Sequence, residues 1–125
     1  MSWDIVLFSS KQKIKTLQDL AEDKLVLTNF CTAIENHFPL IIKDDKHREI
    51  KGDDYSIEYL HSDEHSTNML LNLYGENGIY AMIDFAKSHN YQIYDTGLDD
   101  MLDLANPGNN GYKDFQKYLA QILNR

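Results

Sequence analysis

Two histidines, His61 and His65, stand four apart with Asp63 and Glu64 between them, a spacing that on a helix would turn both imidazoles toward one metal ion. Residues 61–67, however, read as a polar connection between two strands. The Glu is misplaced for the metalloprotease pattern and no third ligand is evident, so an exposed polar loop is the simpler reading. Asp95, Asp99, Asp100 and Asp103 bring together the carboxylate oxygens that hard cations favour. A metal-dependent hydrolase using Asp95, Asp99 and Asp103 is the catalytic reading of that cluster. The spacing fails the calcium-loop pattern of acids at alternate positions around a central Gly, and Lys87 and His89 are the only basic candidates nearby, so carboxylates decorating a turn are the default. Gly108 and Gly111 precede a helix, but the run continues Gly-Tyr-Lys where a phosphate-binding loop needs Gly-Lys-Ser/Thr. Cys31 falls in an apolar-periodic helix, where a buried thiol is inert, and Ser9 and Ser10 lack the Gly-x-Ser-x-Gly elbow. The residues nominate no catalytic group, no metal and no cofactor.

What they do carry is charge, unevenly placed. The formal net charge is −8, yet residues 1–51 hold eight Lys/Arg against eight Asp/Glu, and residues 52–125 hold four against twelve. From Asp53 to Asp103 eleven acids face only Lys87. Such a segment repels phosphate backbones and attracts basic surfaces, which argues against direct nucleic-acid binding and for a cationic protein partner. All eight tyrosines, Tyr55, Tyr59, Tyr74, Tyr80, Tyr91, Tyr94, Tyr112 and Tyr118, lie in the acidic half. Tyrosine offers a large contact area at little rotamer cost, which suits an interface beside carboxylates that meet Arg and Lys. Solvated carboxylates and a Tyr-rich core are the plain alternative.

These side chains must be held by elements that periodicity locates. Trp3, Ile5 and Leu7 alternate with Asp4, Val6 and Phe8, so both faces are largely apolar and a central strand is expected. Thr16 opens a short helix ending near Asp23; Thr28 or Asn29 caps a second, with Phe30, Ile34 and Phe38 on one face and Pro39 ending it. Leu40 to Lys43 reads as a strand, and Asp44 to Asp54 as an exposed turn or a weak hairpin arm. Tyr55, Ile57 and Tyr59 define a strand whose antiparallel partner carries Met69, Leu71 and Leu73. Asn77 and Gly78 open a helix with the stripe Ile79, Met82, Ile83 and Ala86, closed by His89 and Asn90. A short strand follows at Tyr91 to Tyr94, Leu98 to Leu104 fits a helix or a strand, Asn106 to Gly111 is a loop, and Tyr112 to Leu123 is a terminal helix. The expected fold is α+β over residues 1–125 as a single domain: four or five mainly antiparallel strands in one layer with helices on one face. The split β-α-β-β-α-β, ferredoxin-like order plus a C-terminal helix is the simplest topology.

With 125 residues, 42% hydrophobic, the chain has material for one core without disulfides. One cysteine suits a reducing compartment, and the start Met-Ser-Trp-Asp-Ile, with no long apolar run anywhere, implies neither secretion by a standard signal peptide nor membrane spanning. A cytoplasmic location is expected.

This whole-chain profile of a small acidic α/β domain without a catalytic motif resembles the immunity proteins of bacterial polymorphic-toxin and contact-dependent inhibition systems. The resemblance is one of size and character and transfers no functional residue. It implies tight binding to a cognate basic toxin domain, often a nuclease, by blocking its active site or substrate groove. Asp53, Asp54, Tyr55, Glu58, Tyr59, Tyr74, Tyr94, Asp95, Asp99, Asp100 and Asp103 would form the binding face. An adaptor subunit of a larger complex is the other non-catalytic reading.

Overall fold

Alternating side chains in the first strand place Trp3, Ile5 and Leu7 on one side and Asp4, Val6 and Phe8 on the other, and the rest of the sheet builds outward from this strand. The structure is a computed structural model and describes residues 2–75, 77–97 and 99–104; the loop expected at 106–111 and the helix expected at 112–123 lie outside the described residues. In chain order the elements are β1 (Trp3–Phe8), α1 (Phe30–His37), β2 (Ile41–Asp44), β3 (His47–Lys51), β4 (Ser56–Leu60), β5 (Asn68–Tyr74), α2 (Gly78–His89), β6 (Gln92–Asp95) and β7 (Asp100–Met101). Two short 3-10 turns, Leu17–Asp19 and Glu22–Lys24, stand where one short helix was expected.

The strands form one sheet in the order β2-β3-β4-β5-β1-β6-β7, every pair antiparallel. That is seven strands among the described residues, where four or five were expected. Two come from segments whose local pattern is weak: β3, written in the polar run His47–Lys51, and the two-residue β7. β1 is central, between β5 and β6, as its two-sided apolar pattern requires. β5 and β6 are both antiparallel to β1 and therefore parallel to each other, so α2 carries the chain across β1 between them.

One face of the sheet is covered. Ile50, Ile57, Leu73 and Trp3 follow one another across β3, β4, β5 and β1, and Leu71, Ile5, Leu7 and Ile93 continue the layer. Against it pack Phe30, Cys31 and Ile34 of α1 and Ile79, Met82, Ile83, Phe85 and Ala86 of α2. Each fully buried aliphatic or Phe side chain contributes roughly 1.5–3 kcal/mol of transfer free energy. Asn29 caps α1 by accepting the Thr32 N–H at 3.1 Å, and Phe38 leaves the helix in extended backbone ahead of Pro39. Asn90 closes α2 in the left-handed region, φ 60°, returning its N–H to carbonyls of the last turn. Asn77 makes no side-chain cap; its amide donates to Asp54 instead. No helix among the described residues is long and apolar enough to cross a membrane.

The described residues leave the opposite face open over much of its area. Ile42, Leu60 and Leu70 are exposed there, at 47%, 71% and 54%. At the end of that face where β1 stops, Gln92, paired with Phe8, accepts the Ile14 N–H at 2.7 Å and donates to the Gln12 carbonyl at 2.8 Å. Residues 12–14 thereby form a strap over that end, with Phe8 and Ile14 buried.

Candidate functional site

Antiparallel register sets which carboxylates meet. Glu49 on β3 pairs with Glu58 on β4, Glu58 with Asn72 on β5, and Asn72 with Asp4 on β1, forming one row across the open face. Asp4 accepts from Asn72 Nδ2 and from Ser2 Oγ, each at 2.7 Å, and its backbone carbonyl accepts from Thr96 N–H and Oγ1. Two glutamates directly opposite each other repel. Lys51 Nζ at 3.2 Å from Glu49 offsets that repulsion, and His47 Nε2 stands 3.7 Å from Glu58. Glu58 and Asp4 are two strand spacings apart, about 10 Å, so their fields overlap within roughly one Debye length at physiological salt.

The same end of the sheet collects the turns. Ser56 pairs with Tyr74, Trp3 with Leu73, Ile5 with Asp95 and Asp95 with Asp100, so the β3–β4 turn, the N-terminus of β1 and the β6–β7 turn lie at one edge. Asp53, Asp54, Asp99 and Asp100 are exposed there. Asp99 takes the left-handed backbone, φ 53°, and its carboxylate accepts the Tyr94 hydroxyl. That hydrogen bond, with some desolvation and the charges of Asp99, Asp95 and Asp100, pushes the Tyr94 pKa up to about 12. The Glu58 charge raises the Tyr74 pKa above its ordinary value, aided by desolvation, a hydrogen bond to Glu58 and the charge of Asp4. Tyr55 is half-buried, and burial followed by Asp53 and Asp54 raises its pKa. Two phenols, Tyr94 bonded to Asp99 and Tyr74 beside Glu58, thus stand among carboxylates on a surface that the described residues leave open, an array of oxygen acceptors of the kind that Arg and Lys pair with.

The expected binding face is therefore assembled in part. Asp53, Asp54, Glu58, Tyr74, Tyr94 and Asp99 share one end, and Tyr55 contributes its edge; Asp100 is exposed at that end but, paired with Asp95, lies on the side of the covered face. Tyr59 and Asp95 do not belong: both point to the covered face and are 3% and 1% exposed. Period-two alternation is the reason, because Glu58 and Tyr59, like Tyr94 and Asp95, are consecutive in a strand and cannot share a face. Asp103 follows Leu102, whose N–H bonds to Ile93, and so lies toward the other end, on a cavity with Lys11, Lys13 and Lys15. Asp63 and Glu64 are in the β4–β5 connection, also distant, and Asp84 is on the outer surface of α2, 3.9 Å from His37. The anionic surplus is divided among several places, with one substantial cluster.

Sequence reasoning overlooked Asp4 and Glu49, which complete that cluster. Their segment has balanced charge, and only register joins Asp4 to Glu58. The hydrolase reading loses its trio: Asp95 is buried on the covered face, where its Oδ1 takes the Gly97 N–H at 2.9 Å, while Asp99 is on the open face and Asp103 is at the far end. No group of three or more His, Cys, Asp or Glu side chains among the described residues is placed to hold a metal ion. His61 pairs with Asp63 at 3.0 Å in the 61–67 connection. Cys31 is buried, its sulfur accepting the Ser62 N–H at 3.5 Å.

Comparison of the chain with protein-family models, with curated proteins and with solved structures yields no match to any of the three.

Proposed function

We propose that this protein is a non-enzymatic binding module, an inhibitor of the immunity type, that occludes a cationic groove on a partner protein. The observation that carries the reading is the row Glu49, Glu58 and Asp4 with Asp53, Asp54 and Asp99 at one end of a sheet face that the described residues leave open, interleaved with Tyr74 and Tyr94. Aligned carboxylates at strand spacing offer a nucleic-acid-binding protein the negative charge it selects for, on a rigid scaffold that loses little entropy on docking. The partner is a basic toxin domain, a nuclease by preference, and the encounter takes place in the cytoplasm. In this reading the inner strands β4-β5-β1-β6, with α1 and α2, are a split β-α-β-β-α-β core. The β2–β3 hairpin is inserted ahead of β4 and β7 is added at the other edge.

The product of the reading frame next to the one encoding this chain is the test partner. Expressed alone in a bacterial host it should arrest growth, and co-expression of this chain should restore growth through a stable one-to-one complex. Glu58→Lys with Asp99→Lys should abolish the rescue while leaving the fold intact by circular dichroism. A neighbour that is harmless, or one that forms no complex with this chain, refutes the assignment.

A further inference from the structure

The acidic row has an apolar neighbour. Two residues farther along each strand, Leu60 of β4, Leu70 of β5, Val6 of β1, Tyr94 of β6 and Met101 of β7 lie on the same open face; Val6 pairs with both Leu70 and Tyr94, and Tyr94 with Met101. Leu60 and Leu70 are 71% and 54% exposed. From β4 to β7 is four strand spacings, about 19 Å, the length of roughly 13 helical residues. On one side runs Glu49, Glu58 and Asp4. On the other, over β1 and β6, is the strap of residues 12–14, which carries the exposed Lys13 and is flanked by the exposed Lys11 and Lys15. The apolar row is thus the floor of a shallow channel with one anionic wall and one cationic wall.

Resting on the binding role proposed above, we infer that this channel receives an amphipathic α-helix of the partner, its apolar stripe on Leu60, Leu70, Val6 and Met101 and its Lys/Arg flank on Glu58 and Asp4. The stripe spacing of a helix, one turn per 5.4 Å, keeps near step with strands about 4.8 Å apart. The two walls fix the direction of the flank, because cations turned toward the strap would meet lysines. An extended peptide gains its hydrogen bonds at a sheet edge, not over a face, and would leave this row untouched. A second copy of this chain would set acidic row against acidic row at a net charge of −8 per copy.

Two measurements on the full-length protein test this. Leu70→Cys should react with a maleimide about as fast as a cysteine at Asp63, since both sites are exposed; labelling roughly tenfold slower, a drop of the size that a closed state about 1.4 kcal/mol more stable produces, would show the row already covered by this chain or a second copy and overturn the inference. A synthetic helix of about 14 residues, with Leu in one stripe and Lys along one flank, should shift the amide resonances of Val6, Leu60 and Leu70 and bind about tenfold more tightly than an isomer of the same composition without a stripe. Leu70→Ser should remove that preference, with the fold checked by circular dichroism. Equal binding of the two isomers, resonance shifts confined to other surfaces, or no binding of either would each overturn the helix assignment. The co-expression test is independent of the peptide, so failure here leaves the broader inhibitor role standing or falling on its own result.

Discussion

Replacing Tyr59 by Phe separates a residue of the core from a residue of the interface. Tyr59 projects from β4 onto the covered face, opposite Arg48 of β3, and is 3% exposed. Its hydroxyl finds no hydrogen-bond partner among the described residues. Burial, with the charges of Cys31 and Glu35 adding, pushes its pKa from 10.0 up to about 12. A buried hydroxyl with no partner costs roughly 1–3 kcal/mol, and the ring contacts survive the change to Phe. Part of the gain is lost to the small void left behind. Tyr59→Phe should therefore stabilise the protein by about 1 kcal/mol at neutral pH, raising Tm by roughly 4 °C for a chain of this size. The pH dependence has a definite sign. Between pH 10 and about 12 the unfolded tyrosine ionises while the folded one stays neutral, so the Tyr59 contribution to wild-type stability is complete below pH 10 and lost as pH rises toward 12. The Phe variant lacks this loss, and its advantage should widen over that interval. Urea denaturation at pH 7 and near pH 11 measures both effects, and absorbance at 295 nm should show one fewer late-ionising tyrosine. A Tyr59→Phe protein less stable than wild type by about 1 kcal/mol would mean that a buried water satisfies the hydroxyl, and the argument from its isolation would fail. Partner association should be unaffected by this substitution.

Asp99→Asn should bring the Tyr94 pKa down from about 12 toward its ordinary value, because the hydrogen bond to a charged carboxylate is its largest cause; an unchanged late titration at 295 nm would show that the contact does not persist in solution. Gly75→Ala should cost more than about 2 kcal/mol in urea denaturation, because φ is +92° and a Cβ would lie 2.6 Å from the Asp54 carbonyl oxygen, whereas Gly78→Ala, with its nearest contacts at 3.7 Å, should change stability by under about 0.5 kcal/mol. Against a cationic partner, Glu58→Lys with Asp99→Lys should slow association about tenfold at low salt, and the difference should shrink as salt is raised. The same reversal at Asp63 and Glu64, at the other end of the molecule, should have a much smaller effect in the same stopped-flow measurement.

The helices α1 and α2 and the strong strands were legible in the sequence because their signals are local. The fourfold recurrence of Phe30, Ile34 and Phe38 and the Asn29 cap place α1, and the Ile79 to Ala86 stripe with its Asn90 stop places α2. The same period-two rule that locates β4 also assigns Tyr59 to the face of Ile57 and separates it from Glu58, so its absence from any interface follows from the sequence once alternation is applied residue by residue. β3 was less legible because its inward-facing residues are Arg48 and Ile50, and a charged guanidinium at a buried position breaks the apolar alternation. The guanidinium is accommodated by the carbonyls of Asp45 and His47, a turn geometry that composition does not announce.

Sequence by itself determined the side chains each strand shows to each side, the ends of α1 and α2, and the anionic excess after residue 51. Only the tertiary structure decided that Asp4 and Glu58, 54 positions apart, lie in one row, that Asp95 and Tyr59 are shut away, and that Asp103 lines a cavity with Lys11, Lys13 and Lys15 at the other end. Alternation along a strand is enforced by backbone geometry within a few residues. The choice of neighbouring strand is made by burying the combined apolar faces of β1, β4, β5 and both helices, a free energy that no short stretch of the chain contains.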